Sequence, residues 1–307
     1  MRRAPQAAIL AAIVGVSFAS VFIRWSFDLG ASALVIAVYR LGFATLLLAP
    51  LLLTPAGRQI RTLAARDYGL MAVVGFALAA HFATWILSLQ LVDVATSVVL
   101  VTSHPLLVAL VSHVLFRERV TRGMAVGIGL GLVGVGMIAA AQFGQGTNTL
   151  LGSALAFLGG IAAGAYILAG RRLRQRVDLV PYATTVYAFC VLFLLLFSAL
   201  AATPVVVTQN FAPLMGVLLL MAVVSQIGGH TLYNFALRHV NATVVSTSLL
   251  GEPVGASILA FLLLGEVPGC LGGACPATGL VVLGSALALF GIYLTAHPSI
   301  ARDGFSP

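Results

Sequence analysis

Glu252 is a carboxylate set in a stretch built for lipid. Residues 249–268 read LLGEPVGASILAFLLLGEVP, apolar for most of a membrane crossing, with Glu252 inside the run and Pro253 directly after it. An ionisable group in such a run is costly and marks a functional site by default. Two roles are open to it. It can exchange a proton or pair with a cation, because burial favours the neutral acid and a neighbouring positive charge favours the carboxylate. It can instead lock helices together by hydrogen bonds. Arg40 lies in another apolar run, roughly 12 Å deep from one side, against roughly 14 Å for Glu252 from the other, at 1.5 Å per helical residue. An Arg40–Glu252 pair is the cheapest way to keep either charge in hydrocarbon. The alternative for Arg40 is bonding to helix ends.

His104 stands 148 positions before Glu252 (252 minus 104), and each is followed by proline, Pro105 and Pro253. His81 lies in a further apolar run, with Trp85 four residues on and so on the same helix face. Histidine titrates nearest physiological pH, although a single buried one is often only a hydrogen-bonded packing residue. Trp85 and its counterpart Tyr233 are candidate cavity-lining aromatics, whereas Trp25 fits an interface anchor. Asn234 and Gln226 are polar contacts for either substrate or a neighbouring helix. Tyr39, beside Arg40 and matched by Tyr187, completes the candidate set.

Other chemistry finds little support. His81, His230 and the pair His104 and His113 lie on three different runs, with no ligand-like spacing, so neither a metal site nor a cofactor is expected. Residues 129–134, GLGLVG, match a dinucleotide fingerprint formally, but no strand precedes them and no acidic residue follows at the required distance. Gly123, Gly127 and Gly131 recur every four residues, a pattern of close helix packing. No nucleophile elbow, phosphate loop or paired catalytic carboxylate is present, so no enzyme activity is expected. Asn241-Ala242-Thr243 matches a glycosylation acceptor on the wrong side of the membrane. Cys270 and Cys275 share one loop and could form a disulfide in an oxidising compartment.

These residues need a scaffold, and the composition supplies it. The chain is 61% hydrophobic and 8% charged, with a mean hydropathy of +1.10, beyond what a globular core uses. Runs of about 20 apolar residues cross a bilayer core as helices. The first run is too long for a cleaved leader. Ten spans are expected, at 7–27, 32–53, 68–90, 95–115, 123–142, 150–170, 181–203, 212–236, 243–264 and 276–296. With the N-terminus in the cytoplasm, every Arg outside a span falls inside; only Arg24 and Arg40 lie within spans. The net charge of +8 therefore reads as topology and not as affinity for nucleic acid. Both termini are expected to be cytoplasmic. The offset of 148 also aligns Val38-Tyr39 with Val186-Tyr187, and Leu89 with Leu237. Five spans per copy is an odd number, so the second copy enters the membrane upside down, as in many secondary transporters. The repeats are placed at 1–148 and 149–307.

The segment around Arg40 (ALVIAVYRLGFATLLLAPLLL), Pro105 to Glu118 (PLLVALVSHVLFRE) with the glycine-rich Gly127 to Gly136 after it, and Glu252 to Glu266 (EPVGASILAFLLLGE) with Gly279 to Gly291 after it resemble the drug/metabolite transporter superfamily, in its form with two EamA-type repeats. The resemblance implies an all-α, ten-helix exporter working by alternating access, with spans 1–4 and 6–9 around a central cavity and spans 5 and 10 as scaffold. The resemblance does not name the substrate; a small metabolite such as an amino acid, or a hydrophobic or cationic compound, is expected, with proton exchange as the drive, a lipid bilayer as surroundings and the inner membrane as location. A monomer and a homodimer both remain open. The competing readings are an intramembrane enzyme or lipid-handling scaffold, which would need a cluster of reactive residues at one face, and nucleotide-sugar exchange, which would need more cations than Arg40 and Arg24.

Overall fold

The computed structural model describes residues 3–92, 97, 100–141, 149–264 and 277–296. Cys270 and Cys275 lie outside the described residues. The protein is an all-helical membrane protein of two inverted five-helix repeats. Among the described residues, nine helices are long and apolar enough to cross a membrane: span 1 (Ala4–Asp28), span 2 (Ala33–Leu53), span 3 (Ala65–Ser88), span 5 (Arg122–Ala140), span 6 (Leu150–Arg174), span 7 (Leu179–Leu200), span 8 (Phe211–Ala236), span 9 (Ala242–Leu263) and span 10 (Thr278–Ala296). Span 4 contributes the shorter apolar helix His104–Phe116. Local chemistry sets several starts. The side chains of Ser32, Thr121 and Thr149 accept from the backbone N–H groups of Val35, Met124 and Gly152, satisfying donors that a helix start leaves free.

The inversion shows in which helices touch. Span 3 packs on span 6 as span 8 packs on span 1. Span 3 meets span 7 as span 8 meets span 2, and span 4 meets span 6 as span 9 meets span 1. Spans 2 and 7, 4 and 9, and 5 and 10 pack on their own counterparts. Lipid tails are as apolar as leucine, so association rests on close approach. Spans 5 and 10 meet through glycines: a methyl group on Gly134 would collide with the carbonyl of Gly284, and one on Gly127 would stand 2.6 Å from the carbonyl of Gly291.

Several spans are irregular, span 2 tightening to a 3-10 helix over Ala49–Leu53. Span 1 is divided into Arg3–Ser17 and Ala19–Asp28. Span 9 is divided into Ala242–Ser248 and Gly251–Leu264, and span 4 turns just before His104. Pro253 and Pro105 both stand at the start of a helical segment, where their missing N–H costs nothing. The break in span 9 therefore precedes Glu252. Span 8 winds as a π-helix over Ala222–Thr231, a form concentrated at functional sites.

Candidate functional site

Arg40 of span 2 is completely buried. Its Nε–H donates to Oε1 of Gln226 at 2.8 Å, and its guanidinium carbon lies 4.3 Å from the centroid of the Phe82 ring. Its Nη1 and Nη2 have no hydrogen-bond partner among the described residues, and neither has Nε2 of Gln226. An unbonded buried polar group costs about 1–3 kcal/mol, and more when charged. Glu252 is half-buried, and its carboxylate makes no hydrogen bond or ion pair among the described residues. Each of the two charges acts on the other, so they are close without touching. The Arg40–Glu252 relation is proximity across a gap and not a contact pair.

A chain of hydrogen bonds holds the walls. Tyr187 bonds Thr231 at 2.9 Å, and the Thr231 hydroxyl donates to the Gln226 carbonyl at 3.1 Å. The Tyr166 hydroxyl donates to Oδ1 of Asn234 at 2.9 Å, and Nδ2 of Asn234 reaches Tyr187 at 3.4 Å. His230 faces Phe82, ring centroids 5.3 Å apart. These two are repeat counterparts (230 minus 82 is 148). In an inverted pair, counterparts touch only beside the axis relating the halves, so this contact lies beside that axis, among the walls just described.

The remaining sequence candidates fall around this centre. His81 donates from Nδ1–H to the Gly159 carbonyl at 3.0 Å and stacks on Trp85 at 5.7 Å. The Trp85 indole N–H is buried and unbonded among the described residues. His104 donates from Nδ1–H to the Val101 carbonyl at 2.9 Å, which closes the turn at the start of its helix, and its Nε2 is buried without a partner among the described residues. Tyr233 lies within range of the Glu252 charge, beside Ser248. Tyr39 packs on Phe43 of its own helix, and no hydrogen bond of its hydroxyl reaches the Arg40 cluster among the described residues. Sequence reasoning did not single out Phe82, Tyr166, Tyr187 or Thr231. The offset of 148 carries a signal for two of them, since it pairs Phe82 with His230 and Tyr39 with Tyr187.

The two ends of the bundle differ. At the end that carries the Arg-rich loops, side chains tie helix to helix. Arg171 pairs with Glu118 at 3.1 Å and donates to the Leu237 carbonyl at 2.6 Å. Arg174 donates to the Asn234 carbonyl at 2.9 Å, Arg176 pairs with Asp67 at 2.7 Å, and Arg238 pairs with Asp178 at 2.6 Å. At the opposite end, a cavity of about 420 Å³ lies between spans 2, 3 and 7, lined by Leu34, Ala80, Leu87 and Phe197 among others.

A ten-helix inverted repeat with an unpaired cation and carboxylate at its centre has the build of a membrane carrier. Comparison with known families agrees: the EamA-like transporter family matches residues 5–140 and 150–296, and the chain belongs to that family. It is a membrane transporter of small molecules. A solved structure described only as the crystal structure of a protein has 18% sequence identity to it, with a TM-score of 0.77 and all of both chains covered, so the likeness is one of fold. No curated protein matches the chain.

Proposed function

We propose that the protein is a proton-coupled exporter of small amphiphilic metabolites, of the amino acid kind, in a cell's inner membrane with both termini in the cytoplasm. The carrying observation is Glu252: a half-buried carboxylate with no hydrogen-bond or ion-pair partner among the described residues, at a break in a membrane helix and within range of Arg40. Irregular helices at the repeat interface are where secondary transporters hold substrate and ions. In this reading Glu252 carries either a proton or its negative charge. The charged form holds Arg40 or a cationic group of the substrate, and the protonated form releases it. The halves 1–148 and 149–307 rock about the Phe82–His230 contact, exposing the centre to each side in turn.

Flux into proteoliposomes under an imposed pH gradient tests this. Glu252→Gln keeps shape and volume but holds no exchangeable proton. It should abolish accumulation driven by the pH gradient while equilibrium exchange of the same substrate survives. Uphill accumulation by the Gln variant would remove Glu252 as the coupling group and leave it as a helix-packing residue.

A further inference from the structure

We infer that Arg40 and Gln226 together form a subsite for a single carboxylate carried by an apolar molecule. The inference rests on the carrier reading and assigns it the anionic half of its ligand.

Both residues are completely buried, from different repeats, and bonded to each other in one way only. Nε–H of Arg40 is used on Oε1 of Gln226. That bond leaves the outer edge of the guanidinium, Nη1 and Nη2, with no partner among the described residues. It also fixes the amide orientation, because the two amide heteroatoms share one carbon. Nε2 of Gln226 is therefore held a short distance from the same guanidinium, and it too is unbonded among the described residues. Three buried donor atoms on two facing side chains are thus without a hydrogen bond among the described residues, with the Tyr187 hydroxyl standing near the Gln226 amide.

A planar guanidinium edge matches a carboxylate with two parallel hydrogen bonds, and the amide N–H₂ adds a third donor. Phe82 lies against the guanidinium and restricts its swing. The charge balance favours a monoanion. Glu252 is the carboxylate within range of Arg40, and His81 and His230 are the bases within range, so among the described residues no second permanent cation stands there to hold a dianionic phosphate. Phe82, His230 and Tyr166 give aromatic surface for the rest of the ligand. Glu252, close but not in contact, is left for the proton or for a positive group on the same molecule.

The test uses the purified full-length protein in lipid nanodiscs, with thermal unfolding as the readout. The probes are the proteinogenic amino acids and benzoate, each beside its carboxamide, together with phenethylamine. At least one carboxylate should raise the melting midpoint, while its carboxamide at the same concentration does not. Gln226→Glu keeps the acceptor for Arg40 Nε but places a permanent carboxylate at the fork. It should melt no lower than the parent and lose the protection. Arg40→Lys keeps the charge without the planar edge and should weaken apparent affinity at least tenfold, which provides a second reading should Gln226→Glu fail to purify. The subsite is refuted if no carboxylate protects the parent protein, if carboxamides protect equally, or if either variant binds carboxylates as the parent does. Flux separates this from the carrier reading. Carboxylate-selective protection without any flux sinks the carrier and keeps the subsite, whereas flux of phenethylamine with no carboxylate preference does the reverse.

Discussion

Asn234 shows what a single amide does in this interior. It is fully buried, and its two amide heteroatoms lie 2.9 Å and 2.7 Å from the Tyr166 hydroxyl. Tyr187 keeps Thr231 as a partner without Asn234, but no other hydrogen-bond partner of the Tyr166 hydroxyl is described. Asn234→Leu, which conserves volume, should therefore destabilise by about 1–3 kcal/mol, the cost of one orphaned buried hydroxyl. Thermal unfolding in detergent measures it. Adding Tyr166→Phe removes the orphan and should recover part of the loss, an interaction visible only in the double variant. Equal midpoints for Asn234→Leu and the parent would mean the amide is not the phenol's partner. The sequence marks Asn234 as a polar residue in an apolar run, but offers no sign of Tyr166. Their pairing joins spans 6 and 8, and no periodicity within one helix encodes a partner 68 positions away.

At the level of the helix, what is legible is what hydropathy controls. The expected spans 32–53 and 243–264 correspond to Ala33–Leu53 and Ala242–Leu263, because the thickness of the bilayer fixes the length of an apolar run. The break in span 9 and the π-turns of span 8 are not legible in that way. Both lie where the chain passes close to span 1: a Cβ on Gly229 would stand 2.7 Å from Cγ1 of Val16, and one on Gly251 2.9 Å from Cγ2 of Ile13. The glycine repeat of span 5 can be read, and it makes a graded prediction. Gly136 has open space around it, whereas Gly134 abuts Gly284 and the backbone of Ala288. Gly136→Ala should be neutral or gain about 0.5–1 kcal/mol, the ordinary benefit of alanine in a helix. Gly134→Ala should lose about 1–3 kcal/mol by overpacking against backbone that cannot move aside. Ligand affinity of the surviving protein should be unchanged in both, since spans 5 and 10 stand outside the centre. If the two variants melt alike, the glycine seam does not hold this pair of helices.

The whole molecule is fastened at one end, and that fastening should respond to protons. Glu118, in the loop after span 4, is tied to Arg171 of span 6 at 3.1 Å, while Arg171 also holds the Leu237 carbonyl after span 8. Three spans are thus joined through one guanidinium. Burial pushes the Glu118 carboxyl above its ordinary range, and the charge and hydrogen bond of Arg171 only partly offset this. The sign of the pH effect follows from linkage. The closed form holds the Glu118 proton more tightly than any form in which that side chain is solvated, so protons favour closure. Stability of the closed end is full below the ordinary carboxylate range and declines as the pH rises through the raised value above it. Asn241, buried where span 9 begins at this end, reports the opening. With Cys270 and Cys275 replaced by serine, a cysteine at 241 should react with an impermeant thiol reagent only from the cytoplasmic face, and more slowly as the pH is lowered, after correction for thiolate fraction with a free thiol. Because Nδ1–H of His113 donates to the Glu118 carbonyl at 3.2 Å, the slope is read against Glu118→Gln, in which it should flatten. Arg171→Ala should raise the reaction rate at every pH, because it removes two ties at once. A rate that is unchanged in Arg171→Ala, or a slope that persists in Glu118→Gln, would show that the basic end is closed by helix packing alone. Labelling from the opposite face would reverse the orientation of the whole molecule.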